Sequence, residues 1–311
     1  MRLTYHTLDV FTEQRFGGNP LAVFPDAERL EQEGEGGGKL MQRIATELNL
    51  SETVFVLPAK TTQGTKRVRI FTPGGEVPFA GHPTIGTAFL LAALGYGTPS
   101  PGPDGDTTQV VLEEGVGPVP VTVGKAGFSQ LTAALPPELR PAPLPPEEVA
   151  ALVSLTPTDL DGTREPQAAS CGLPFLIVPL RDHAALAASR VNLAIWERRL
   201  ADSWSPQLYL ISANGAGPSQ VDFRVRCFCP GVGVPEDPAT GSAAAAFAGY
   251  LALHSHSGTA TANLRWTVEQ GIEMGRPSLL QLEADLADGA VSSIRVGGHC
   301  VLVAEASMQI S

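Results

Sequence analysis

Apolar and polar positions alternate from Leu3 to Phe11, the spacing of a strand with one buried face. Phe16-Gly17-Gly18-Asn19-Pro20 interrupts it as a turn, and Leu21-Ala22-Val23-Phe24 reads as a buried strand. Residues 26–38 are polar and Gly-rich, which predicts a surface loop. Apolar positions return at helical spacing from Leu40 to Leu48. Asn49-Leu50-Ser51-Glu52-Thr53 then leads into a strand from Val54 to Leu57. Val68 to Phe71 is a further strand. Gly81-His82-Pro83 opens a helix through Leu94, with Pro83 in its first turn and Gly95 and Gly97 ending it. Residues 98–107 predict a loop, Val110 to Leu112 and Val119 to Val123 strands, and Gly124 to Gly127 a turn.

The second half begins at 128, with an apolar stretch from Leu131 to Leu135 and a proline-rich, linker-like run over 136–146. The pattern then predicts helices over 147–153, 183–200 and 242–254. Strands are expected over 174–180, 207–211, 221–228, 267–270, 279–283, 293–296 and 300–304. Strands outnumber helices, and in each half one apolar helix follows a Gly loop. The expected class is α+β: two pseudo-symmetric halves, each a curved, mostly antiparallel sheet wrapped around a central helix. The first half is expected to span 1–127 with the strand 300–311, the second 128–299, with an active-site cleft between them.

A repeat supports two halves. Arg67-Val68-Arg69, Phe71, Pro73, Gly74, Val77 and Pro78 recur as Arg224-Val225-Arg226, Phe228, Pro230, Gly231, Val234 and Pro235, an offset of 157. Three inserted residues then shift the offset to 160, so that Gly81 meets Gly241. A helix N-terminus behind each glycine presents unpaired N–H groups and partial positive charge, which suits an anionic substrate.

Composition narrows the function classes. The net charge is −11 over 311 residues and no basic run appears, which argues against nucleic acid. No apolar run is long enough for a membrane span. Met1-Arg2-Leu3-Thr4-Tyr5-His6 lacks the apolar core of a secretory signal, so a cytoplasmic setting is expected. Cys171, Cys227, Cys229 and Cys300 have no zinc-site spacing, and no nucleotide-binding glycine pattern occurs; neither a metal nor a cofactor is expected.

Several stretches, in order, resemble one family. They are Gly18-Asn19-Pro20, Asn49-Leu50-Ser51-Glu52-Thr53, Phe71-Thr72-Pro73, Glu76 through Pro83, Glu236 through Ala243, Gln270-Gly271 and Met274 through Ser278. Together they are similar to the PhzF family, named for the phenazine-biosynthesis isomerase, within the diaminopimelate-epimerase-like fold. The resemblance implies that Glu52 is the acid/base residue. His82, Asp237 and Ser242 would be site residues, and the protein a homodimer acting on a small carboxylic acid.

The residues permit the same chemistry. Glu52 leads into an apolar strand, where burial lifts a carboxyl toward working pH; the plain alternative is a helix cap or surface carboxylate. His82 can bind a carboxylate or share a proton, or merely cap a helix. Asp237 can orient a ligand or hold His82, or cap the second helix. Ser242, Thr240 and the N–H groups of Gly81 and Gly241 would hold a substrate carboxylate. Sister enzymes of the fold use two thiols just ahead of the helix-opening glycines. Here those places hold Ala80 and Thr240, which disfavours two-base epimerisation. The expected function is a cofactor-independent isomerase moving a proton between carbons of a small cyclic or amino carboxylic acid. The alternatives are an epimerase or racemase, or a non-catalytic binding protein that keeps the fold.

Overall fold

The computed structural model describes residues 1–32, 35–102, 105–214, 221–255 and 261–310. They form two compact units, Met1–Thr132 with Gly297–Ser311, and Ala133–Val296. The fold is α+β, with a mostly antiparallel sheet and one buried helix in each unit.

The first unit contains β1 (Arg2–Val10), β2 (Asn19–Phe24), α1 (Glu28–Glu31), α2 (Glu35–Leu48), β3 (Glu52–Leu57), β4 (Lys66–Thr72) and β5 (Gly75–Val77). It continues with α3 (Gly81–Ala93), β6 (Thr98–Gly102), β7 (Gly105–Glu114), β8 (Gly117–Val123) and β9 (Phe128–Thr132). The second unit contains β10 (Glu138–Pro141), α4 (Pro146–Leu152), β11 (Gln167–Ser170), β12 (Pro174–Pro179), α5 (His183–Ala188) and α6 (Leu193–Arg199). Then follow β13 (Gln207–Ala213), β14 (Phe223–Cys229), β15 (Val234–Asp237), α7 (Gly241–His254), β16 (Ala262–Gln270) and β17 (Ser278–Ala287). Strand β18 (Ala290–Gln309) begins in the second unit and ends in the first, where it pairs with β1.

The units share one topology. In the first, β2 pairs parallel with β3, β3 antiparallel with β4, and β4 both antiparallel with β5 and parallel with β7. In the second, β12, β13, β14, β15 and β16 repeat that sequence of pairings with the same directions. The central helices α3 and α7 are apolar on every side and buried over most of their length, as helices enclosed by a sheet must be. Gly86 shows how closely α3 is packed: a Cβ there would lie 2.7 Å from both Leu21 Cδ2 and Val10 Cγ2.

Register corrects where the inserted residues of the repeat lie. Ile70 pairs with Val77, and its counterpart Cys227 pairs with Asp237. The offset is therefore already 160 in β5 and β15, and the insertion sits in the turn after β14. The likeness of Val77-Pro78 to Val234-Pro235 is a coincidence of sequence. The ion pairs follow the structural register: Arg69 grips Glu76 with Nε and Nη2, and Arg226 grips Glu236 in the same way.

Four other expectations change. The Gly-rich stretch 26–38 is not a loop. Helix α1 lies within it, and α2 starts at Glu35 and runs through Gly36, Gly37 and Gly38; residues 33–34 lie outside the described residues. A Cβ on Gly37 would sit 2.0 Å from Leu30 O, so glycine there permits the close approach of α1 and α2. The expected loop 98–107 contains β6 and the start of β7, with 103–104 outside the described residues. Pro99 and Pro101 share one ladder parity, which leaves the donors to alternate positions. The proline-rich run 136–146 contains β10, paired with β11. The helix expected over 183–200 is two, α5 and α6. Buried Arg226 Nη1 donates to Leu186 O, Ala187 O and Ser189 O at the end of α5, and Asn192 accepts from Ile195 N to start α6.

Candidate active site

In the first unit Glu52 and His82 are brought together. Asn49 takes φ 50°, a left-handed turn that asparagine tolerates, and ends the chain's run through α2. Glu52 then opens β3 beside Leu21 of β2. His82 is the second residue of α3 and is 3% exposed. Its Nε2 lies 3.4 Å from Glu52 Oε2, longer than a well-made hydrogen bond. On the other side of the ring, Asn19 Nδ2 lies 3.2 Å from Nδ1. An amide nitrogen only donates, so Nδ1 accepts and the proton sits on Nε2, facing the Glu52 carboxyl. Burial pushes the His82 imidazole down to about 3, so it is neutral across the physiological range and acts as a donor without charge. The Gly18-Asn19-Pro20 turn explains itself: Gly18 has φ +60°, and a Cβ there would lie 2.3 Å from Val10 O. It delivers Asn19, fully buried, to the histidine.

In the second unit the sequence-predicted residues Asp237 and Thr240 are in contact. Thr240 Oγ1 donates to Asp237 Oδ2 at 2.6 Å. Thr240 is the residue ahead of α7, and its side chain does not cap that helix. Gly241 is the first helical residue and Ser242, half-buried, the second. Helix α3 likewise starts behind Ala80 with no side-chain cap. At neither helix start does the side chain of the preceding residue cap the first-turn N–H groups, and such a start attracts an anion.

Gln270 was legible only as part of a matching stretch, without a role. It is fully buried, and its Nε2 donates to Asp237 O at 2.7 Å and to Thr240 Oγ1 at 3.0 Å, while its Oε1 accepts from Thr240 N at 3.3 Å. One amide thus fixes the turn that carries Asp237 and Thr240. Gly271 and Ser278 support the same turn. A Cβ on Gly271 would strike Pro238 O at 2.7 Å, and Ser278 Oγ donates to that oxygen at 2.9 Å.

Shared topology pairs positions across the units. Thr53 pairs with Phe71, and Leu208 with Phe228, the repeat partner of Phe71. One residue earlier, Glu52 therefore corresponds to Gln207, which opens β13 beside Phe175. By the same register Val77 corresponds to Asp237, Ala80 to Thr240, and His82 to Ser242. Apart from the shared glycines Gly81 and Gly241, these places are filled by different chemistry in the two units.

Comparison with known proteins identifies the family. The family model for phenazine biosynthesis-like proteins, PhzC-PhzF, matches residues 8–306. An uncharacterized isomerase of Mesorhizobium japonicum is 38% identical, over 98% of each chain. The trans-2,3-dihydro-3-hydroxyanthranilate isomerase of Pseudomonas aeruginosa is 35% identical, over 97% of each. A PhzF-family phenazine biosynthesis protein of Bacillus anthracis superposes with a TM-score of 0.84 at 25% identity, over 100% of each chain. The chain therefore belongs to the phenazine biosynthesis-like (PhzC-PhzF) family and is an isomerase by class.

Proposed function

We propose that this isomerase shifts a proton between two carbons of a small cyclic or amino carboxylic acid, with Glu52 as the single acid/base and no cofactor. The observation that carries the reading is the asymmetry of corresponding positions. Glu52 faces a neutral histidine donor in one unit, and its counterpart Gln207 is an amide that takes up no proton. Ala80 and Thr240 supply no second base, and the Thr240 hydroxyl is engaged by Asp237. In this reading Glu52 removes a proton from one carbon, the electron pair moves along the conjugated system, and the same carboxyl returns the proton to another carbon. His82 Nε2–H steadies the Glu52 carboxylate. Ser242 and the N–H groups of Gly81 and Gly241 receive the substrate carboxylate and Asp237 orients it, whereas the expected contribution of Thr240 is withdrawn, because its hydroxyl proton and N–H are already given to Asp237 and Gln270.

One relative acts on trans-2,3-dihydro-3-hydroxyanthranilate, a cyclic amino acid of the proposed kind, which makes it the first compound to test. Incubation in deuterated buffer followed by NMR should show deuterium entering a carbon other than the one that lost its proton. Inversion at one carbon with exchange only there would favour epimerisation instead. Binding without any exchange across a panel of cyclic acids would favour the non-catalytic alternative. A cytoplasmic homodimer accompanies this reading, and sedimentation of the purified protein tests the dimer.

A further inference from the structure

Two adjacent glutamates end β7 and point to opposite faces of the sheet. Glu113 accepts from Lys60 N, Thr61 N and Thr61 Oγ1, and these donors hold its carboxyl below the usual range. Glu114 has the opposite surroundings. Its Oε1 lies 2.7 Å from Thr84 Oγ1, and its Oε2 is shut off from solvent with no hydrogen-bond partner among the described residues. Thr84 is fully buried on α3, and its Oγ1 also lies 2.7 Å from Ala80 O.

A hydroxyl has one proton to give. Ala80 O only accepts, so the hydroxyl that bonds to it takes its second bond from Glu114. That requires the proton on Glu114. Ionisation would instead leave a carboxylate oxygen buried without a donor, at a large desolvation cost. Burial works in the same direction and lifts the Glu114 carboxyl to about 8, with the Thr84 contact opposing it. Ala80 O also accepts Thr84 N at 3.1 Å, so this carbonyl, the last before α3, is held from two sides. Gly115 continues the support: a Cβ there would lie 2.8 Å from Pro78 Cα, so the β7–β8 turn packs against the segment leading into α3.

We propose that Glu114 is a neutral carboxylic acid that donates to Thr84 Oγ1 and thereby fixes the Ala80–His82 turn, as a positioning residue for His82. The relevance to catalysis rests on the proposed role of His82. The protonation of Glu114 does not, so the two can fail separately.

The test uses the whole chain labelled with ¹³C at glutamate carboxyls. At pH 6.5 the wild-type NMR spectrum should contain one carboxyl carbon at the protonated position, and Glu114→Gln should remove that signal alone. The amide of Gln still donates to Thr84, so Glu114→Gln should keep the ¹⁵N signals of the His82 ring in place. Glu114→Ala and Thr84→Val should shift those signals, and Thr84→Ser should restore them. A wild-type spectrum with every glutamate ionised at pH 6.5 overturns the proposal. So does a Glu114→Gln protein whose His82 signals move as far as in Glu114→Ala. If Glu114→Ala fails to fold, the wild-type and Glu114→Gln spectra still decide.

Discussion

Glu52 and Gln207 open corresponding strands in the two units, and only Glu52 can carry a proton. The duplicated topology has kept the place and divided the chemistry. The same division recurs at His82 and Ser242, and at Ala80 and Thr240.

Replacing Glu52, the proposed acid/base, tests this division directly. Glu52→Gln gives both units an amide at this place while keeping the size of the side chain. Proton transfer, read as deuterium incorporation, should fall by about 10²–10⁴, the usual contribution of a general base. Substrate binding should persist, because the proposed reading assigns the anion to other groups. Full exchange activity in this variant would rule out a single carboxylate at Glu52.

The buried histidine gives stability a pH dependence of known sign. The unfolded chain takes up a proton on His82 near 6.5, whereas the folded protein does so near 3. Between these values the unfolded state binds more protons, so stability is present above about 6.5 and is lost as pH falls toward 3. The slope from this one group is at most about 1.4 kcal/mol per pH unit. Urea denaturation across this range should show a flatter profile for His82→Gln than for the native chain. Parallel profiles would mean that His82 is protonated in the fold.

Gln270 should matter more for stability than its unremarkable sequence suggests. Gln270→Leu leaves Asp237 O without its amide donor and Thr240 N without its acceptor. The expected cost is about 1–3 kcal/mol, the penalty for orphaned buried polar groups. Thermal or chemical unfolding measures it. An unchanged midpoint would show that the turn holds without this amide.

Ser242 is the milder case. Ser242→Ala removes one hydroxyl from the start of α7 and keeps the backbone N–H groups. Affinity for the substrate or a carboxylate analogue should weaken by about 1 kcal/mol, near the value of one hydrogen bond. Calorimetric titration reads this directly, and equal affinity would remove Ser242 from the anion site.

The sequence by itself determined the class and the plan. Alternation marked most strands, and the apolar helices α3 and α7 were legible because their glycine openings and uniform hydrophobicity allow only a buried place. Glu52, His82, Asp237 and Ser242 were legible as residues, because each stands in a stretch whose local spacing is distinctive. Local spacing does not reveal partners. Asn19 and Gln270 reach the candidate site only through tertiary contacts, across 63 and 33 positions of chain. The glycines at 36–38 read as a loop from propensity, and only the approach of α2 to Leu30 makes glycine the residue the helix requires at Gly37. The placement of the insertion, and with it the correspondence of Glu52 to Gln207, was decided by strand register. Matching letters tolerate a shift of three residues, whereas a hydrogen-bonded ladder admits one pairing.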